Sequence, residues 1–471
     1  MLSLRFTTVM LAAALSASAA AAPAPFFAGL GKSSGATSHG DTLSSDTSRL
    51  PGPRASKKSP QLISLSAACP NLMVLSDGKV AAMCVDYMTR QPKLTLFDRN
   101  GKQLAQTMLS SASLLGSVYA YANERDQIIY VDNKHTLNTV IPYQSGGKWA
   151  WQTNRFGGIP LARTVLPHCG GGKCDSVVAI NPGSDADDIW FATQGSVVGV
   201  VNRKSKKIHA VKLSQGEMVA NSFSTASGNR AAVATTHALY LLVKENGKVR
   251  IKWRQPYERG IARKPGQLSW GTGATPTFFG ENASADEYVT ITDNAHRMNL
   301  LVYRTDSGQQ ICKTPLFGNN NSGTEDSPIA YGRAVVVNST YGYPYPKYPD
   351  GAGKSIPAKA AFVGGMTRVD VKPDGSGCQT KWTNGIRSAA LPKLSIADNL
   401  MYTVERSGPS DKASAVDKYH FVSIDWNTGQ KRSSAFFSFG LLSNPLQTAG
   451  NIGLDRSYWQ GTMNGIIRVL P

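Results

Sequence analysis

The 471 residues carry 50 Lys/Arg against 31 Asp/Glu, a formal net charge of +19, and 41% of them are hydrophobic. That hydrophobic share excludes a disordered chain and is enough for a large core. The positive excess lies in small clusters such as Arg203–Lys207. It reads as a solvated basic surface, or as one that meets an anionic polymer or an envelope surface. The chain has no nucleic-acid recognition motif, so no nucleic acid is expected as a partner.

At the N-terminus Arg5 precedes the apolar run Phe6–Leu15 and the Ala/Ser run Ser16–Ala22. This predicts a cleaved secretory signal over residues 1–22, and an exported protein, periplasmic or extracellular. A membrane anchor would need about 20 apolar residues. No later stretch is long and apolar enough for a transmembrane segment. Residues 23–60 are rich in Ser, Gly, Thr, Pro and Lys and predict a flexible linker to the fold at 61–471.

Six cysteines in an exported chain predict disulfides. Cys169 and Cys174 bracket a short Gly-Gly-Gly-Lys loop, and Cys69 and Cys84 flank a strand turn. Cys312 and Cys378 are the remaining pair; six cysteines allow 15 connectivities. A zinc site is the rival reading, but no paired CxxC supports it, and no metal is expected.

From Gln61 onward one pattern recurs: an apolar strand, a tight Gly/Lys turn and a second strand. It begins at Lys93, Thr139, Val197, Leu239, Leu300, Thr367 and Phe421. Two further strands precede each copy, as in Glu287–Thr292 before Asn299–Arg304 and Gln309–Leu316. Four-stranded antiparallel units at this period predict an all-β fold, an eight-bladed β-propeller, with seven blades as the alternative. The eighth unit has strands at Leu446–Gly453, Ser457–Gly461 and Gly465–Leu470 but no fourth. An open blade would leave sheet edges exposed. The segment Gln61–Ser66 is therefore expected to supply that strand and close the ring.

With strands named A to D outward, the A–B and C–D turns are short. The long connections, Glu258–Ala274, Gly318–Ser327, Ser339–Gly364, Asn384–Leu391 and Arg406–Lys418, are all D–A or B–C, and these share one face. A site is expected there, because function concentrates on loops carried by a rigid frame. Trp270, Thr272, Glu325, Asp326, Arg387 and Lys393 enter the inner strands of blades five to seven and are the ligand candidates. Tyr341 and Tyr343, in a Tyr/Pro-rich insert, are expected to wall the site. The catalytic residues stay unassigned. Glu325 and Asp326 are adjacent, so one of them should point inward. His135, His237 and His296 recur at B–C turns, two of them in D-N-x-H-x-x-N. Matching turns are spread round a ring, so one ion cannot collect them, and Asp and Asn are expected to close those turns.

The C–D units resemble those of the PQQ-like, quinoprotein-type β-propeller superfamily, whose blades carry A-x-D-x-x-T-G-K-x-x-W. Asp425-Trp426-Asn427-Thr428-Gly429 matches its middle and Gly147-Lys148-Trp149 its end, while Trp253 and Trp382 lie offset. Quinone-binding members of that family use adjacent cysteines, which are absent here. The superfamily also includes non-enzymatic propellers that scaffold envelope proteins, and the resemblance points toward these and away from a quinone-dependent dehydrogenase; no cofactor is expected. The expectation is a monomeric, divergent exported propeller. It would hold a small molecule, an anionic polymer or an envelope protein on its loop-rich face. The alternative is a propeller lyase, hydrolase or oxidoreductase with a site at the channel mouth.

Overall fold

The computed structural model describes residues 22–471 other than 55–58, 111–117, 155–156, 166–174, 319–320, 350 and 411. The 1–22 signal and the Cys169–Cys174 pair therefore lie, all but Ala22, outside the described residues. Eight four-stranded antiparallel blades stand in a ring, and blades two and seven each carry one short extra strand.

Blade five shows how sequence becomes blade. Its strands are Thr277–Phe279, Tyr288–Thr292, Asn299–Arg304 and Gln310–Pro315. The inner three are buried on both sides, because a neighbouring blade covers each face; they therefore read as continuous apolar runs. The outermost strand mixes exposed and half-buried residues, as at a rim; its alternation breaks at Ile311–Cys312, where the register shifts against Val302–Tyr303. Gly308 closes the C–D turn with φ +74°, a conformation that favours glycine, and donates its N–H to Arg304 O at 2.9 Å.

The repeat motif has a structural role. Trp253, on the outer strand of blade four, lies on Gly308 in the blade-five turn and donates Nε1–H to Thr305 O at 3.0 Å. Trp382 of blade six does the same on blade seven, lying on Gly429 and donating to Trp426 O at 3.0 Å. Asp425 Oδ1 accepts the N–H groups of Asn427 and Thr428, which holds the turn in shape for the ring. Each tryptophan thus pins its blade to the next one.

Gln61–Ser64 pairs antiparallel with Gly465–Val469 as the outer strand of blade eight, so the two ends of the ring share one sheet. At the seam with blade one, Gly461 lies directly against the Cys69 carbonyl, with no room for a Cβ. Cys69 is itself fixed to Cys84 by a disulfide. A second disulfide, Cys312–Cys378, joins the outer strands of blades five and six across 66 residues of sequence.

The stretch expected to be a free tether behaves otherwise. Residues 29–31 and 33–48 are buried inside the ring. This segment lines the axis, and its carbonyls take up inner-strand N–H groups that face the bore. Gly35 O accepts from Val74, Ala36 O from Ala122, Thr42 O from Thr225, Leu43 O from Phe278, Ser45 O from Ala330 and Asp46 O from Leu394, at 2.8–3.1 Å. Asn451 of blade eight donates to Thr37 O at 3.0 Å, and Gly29 passes Pro182 of blade three. Thr47–Ser48 pairs parallel with Leu394 and Ser395 as an added inner strand of blade seven. The small Ser, Gly, Ala and Thr side chains that resemble a linker are those that fit a narrow bore. Beyond Ser48, Gly52 N–H and Arg54 Nε–H bond Asp398 in the A–B turn of blade seven. At its other end Gly29 abuts Ala186 in the A–B turn of blade three. The segment therefore enters and leaves by the face with the short turns.

Replacing Gly461 with Ala should cost about 1–3 kcal/mol by overpacking the seam. Chemical denaturation of the variant checks this; an unchanged midpoint would mean that the seam has slack.

Candidate functional site

With one end of the bore stoppered, the loop-rich mouth remains as the place for a site. The strands bring Glu325, Asp326 and Lys393 to the axis there, but each is occupied by the protein itself.

Lys393 is fully buried, and its Nζ lies 2.9 Å from Asp46 Oδ1 and 3.4 Å from Ser38 O. Asp46 also meets His39 Nδ1 at 2.9 Å, and Ser327 Oγ donates to it at 3.1 Å. Burial acts to raise the Asp46 carboxyl, but the Lys393 charge and then His39 outweigh it and hold Asp46 below its ordinary value. A pair sealed this way is costly to break, because the survivor would be an uncompensated buried charge.

Glu325 is buried, and its Oε2 accepts the Leu268 N–H at 2.8 Å. Its carboxylate fills the space that a side chain at Gly273 would take. Burial raises it from 4.5 to about 7, against the Leu268 bond and the more distant Arg263, which lower it. Asp326 turns to Asn338, whose Nδ2 donates to Oδ2 at 2.6 Å. Burial pushes Asp326 well above the ordinary carboxylate range. Both neighbours are thus buried, with separate partners.

The other candidates separate. Thr272 is buried, and its N–H donates to the Tyr257 hydroxyl at 2.9 Å. Trp270 is partly exposed on the loop-rich face, with the Arg259 guanidinium 3.8 Å above its ring. Arg387 donates to the carbonyls of Gly408 and Pro409, bracing the B–C loop of blade seven. Tyr341 and Tyr343 are buried: Tyr343 packs edge-on against Tyr345 and Phe362 and bonds Asn444. They anchor the insert from beneath. Tyr348, half-buried with Arg263 4.3 Å from its ring, is nearer the surface.

Several participants lie outside that candidate set. Tyr119 and Asn221, from the connections leading into blades two and four, bond each other, and Asn221 bonds Gly273 O, so these loops are tied to blade five. Lys264 is buried, with its Nζ on the carbonyls of Ala295, His296 and Ser322. Burial lowers it to about 8, against the more distant Asp293. Their sequence signal is slight, because single polar residues in long loops look alike until their partners are known. At the histidine turns, Asp132 accepts the N–H groups of Lys134 and Thr136, and Asp293 those of Ala295 and Asn299. Among the described residues no group of three His, Cys, Asp or Glu is placed to hold a metal. A groove of about 380 Å³ lies on the opposite face between blades six and seven, lined by Arg333, Arg368 and Lys372, away from all these candidates.

No family model matches the chain. It is 23% identical over 424 residues to an uncharacterized protein of Archaeoglobus fulgidus, covering 83% of this chain and 78% of that one. BamB from Moraxella catarrhalis matches in structure over 86% of this chain and 96% of its own, at 10% identity and a TM-score of 0.45. Hsv2 of Kluyveromyces lactis matches over 67% and 86%, at 10% identity and a TM-score of 0.40. Identity this low carries no ligand or reaction across.

Glu325 gives a pH signature. Its folded value lies above the unfolded one, so the native state binds the proton more tightly. The stabilisation is complete below the unfolded value of 4.5 and is lost as pH rises through about 7. Glu325→Gln should remove that loss, leaving the variant more stable than the parent at about pH 8, by on the order of 2–3 kcal/mol, and little changed at acid pH. Thermal melts of both proteins across that range decide it; parallel curves would place Glu325 in contact with solvent.

Proposed function

We propose that this chain is an exported, monomeric β-propeller scaffold that binds its partner through the loop-rich face and performs no chemistry of its own. The observation that carries this reading is the state of the channel. The chain's own segment closes the face with short turns, and the charged candidates at the other mouth are spent on internal bonds. Two disulfides fit an oxidising compartment. No helix among the described residues is long and apolar enough to cross a membrane, which fits export. The Trp-on-Gly contacts between blades support placing the chain beside quinoprotein-type propellers, among members without the adjacent cysteines that grip a quinone.

Photo-crosslinking in the native host tests the reading. Crosslinkers at Trp270 and Tyr348 should give adducts, to protein or to lipid, and those at Glu245 and Asp374, on the face with short turns, should not. Adducts confined to the second pair would overturn it.

A further inference from the structure

The loop-rich face differs from the opposite face in two independent ways. The first is apolar exposure. Met88 is 92% exposed, Ile261 82% and Phe439 69%, and Val416, Ile356 and Leu442 are each more than half exposed. All six lie on B–C or D–A connections or at the strand end feeding one. Toward the opposite face, the exposed large apolar side chains among the described residues are Phe26, whose ring Arg49 covers at 4.3 Å, and Leu62, Tyr143 and Ile251 on strands near the short turns; of these Leu62 alone, at 56%, is more than half exposed.

The second is charge. Arg90, Lys134, Arg297, Lys354, Lys359 and Lys412 stand exposed on the loop-rich connections. Among the described residues of those connections Glu258 is the exposed carboxylate; the others are buried or half-buried. Asp417, for instance, is sealed against Arg406 at 2.9 Å. The opposite face also exposes cations, among them Arg99, Lys102, Lys148, Lys206, Lys248 and Lys372, but interleaves them with Asp77, Asp185, Glu245, Glu281, Asp306 and Asp374. The faces therefore differ in their carboxylates: both present cations, and on the loop-rich face these stand with few exposed carboxylates beside them.

The apolar residues are also held in place. Arg406 donates to Asp417 and to the carbonyls of Pro409 and Lys412, which fixes the loop carrying Val416 and Lys412. A run of backbone bonds continues the ridge across three blades. Gly440 donates to Asp417 O, Asn464 to Leu442 O, Leu65 to Asn464 O and Tyr87 to Ser66 O. Val416, Phe439, Leu442 and Met88 thus stand along one braced rim, and Ile261 and Ile356 sit on neighbouring loops joined by the Ile356 N–H to Arg263 O bond.

We infer that the loop-rich face docks on an anionic lipid bilayer. This names the partner for the reading above and rests on that reading's choice of face. Separated apolar side chains standing out among cations, with carboxylates withdrawn, suit a bilayer, which accepts scattered insertions and attracts basic residues. A soluble polyanion would use the cations and leave the apolar residues idle. A protein partner would favour one contiguous apolar patch.

The test is co-sedimentation of the full chain with phosphatidylcholine vesicles, with and without phosphatidylglycerol. The parent should pellet with the anionic vesicles and weakly with the neutral ones. Phe439→Asp with Leu442→Asp should lower binding about 10-fold or more, and so should Lys354→Glu with Lys359→Glu and Lys412→Glu. All these side chains are exposed, so melting curves should match the parent's. Three results would each overturn the inference. One is a parent that stays in the supernatant with both vesicles, which leaves the choice of face to the crosslinking result. Another is an apolar double variant that binds as well as the parent while a soluble polyanion competes fully. The third is a parent that dimerises without lipid and is made monomeric by Phe439→Asp, which would assign the rim to a second copy of this chain.

Discussion

The inner strands of six of the eight blades present N–H groups to the bore, and carbonyls of the chain's own N-terminal segment accept them. The rest of the structure follows from that constraint. The segment must be narrow, so it is built of Ser, Gly, Ala and Thr. It must be anchored, and the buried Asp46–Lys393 pair, from positions 347 residues apart, does this beside His39 and Ser327. It enters and leaves by the same face, and the other face is left for loops.

The blades were legible in the sequence because their physics is local. Period-two patterning and glycine turns give the strands, and the unpartnered last blade calls for a strand from Gln61 onward. The bound Gln61–Ser64 strand and the Cys69–Cys84 and Cys312–Cys378 bridges follow that reading. The offset of Trp253 and Trp382 from the repeat motif is explained by geometry, since each meets the turn of the following blade and not its own.

The axial segment was not legible, because low hydrophobicity is common to a flexible tether and to a chain that fits a narrow bore. What distinguishes them is partners on seven other sheets, and no local pattern carries that. The candidate site was half legible for the same reason. The loop asymmetry placed Glu325, Asp326 and Lys393 near the axis. Their occupation by Leu268, Asn338 and Asp46 depends on contacts from distant loops. Tyr341 and Tyr343 looked like a ligand wall because tyrosines next to prolines suit one, but both are buried, Tyr343 in the aromatic cluster around Phe362 and Tyr341 beside Gly323.

The closed bore is the central claim, and hydrogen–deuterium exchange across residues 33–48 tests it most directly. The account predicts protection of this segment comparable to that of the inner strands it caps, lost together with theirs on global unfolding. Free exchange of the segment while the blades stay protected would show that it lies outside the ring. The channel would then be open, and its buried charges would again be candidates for chemistry.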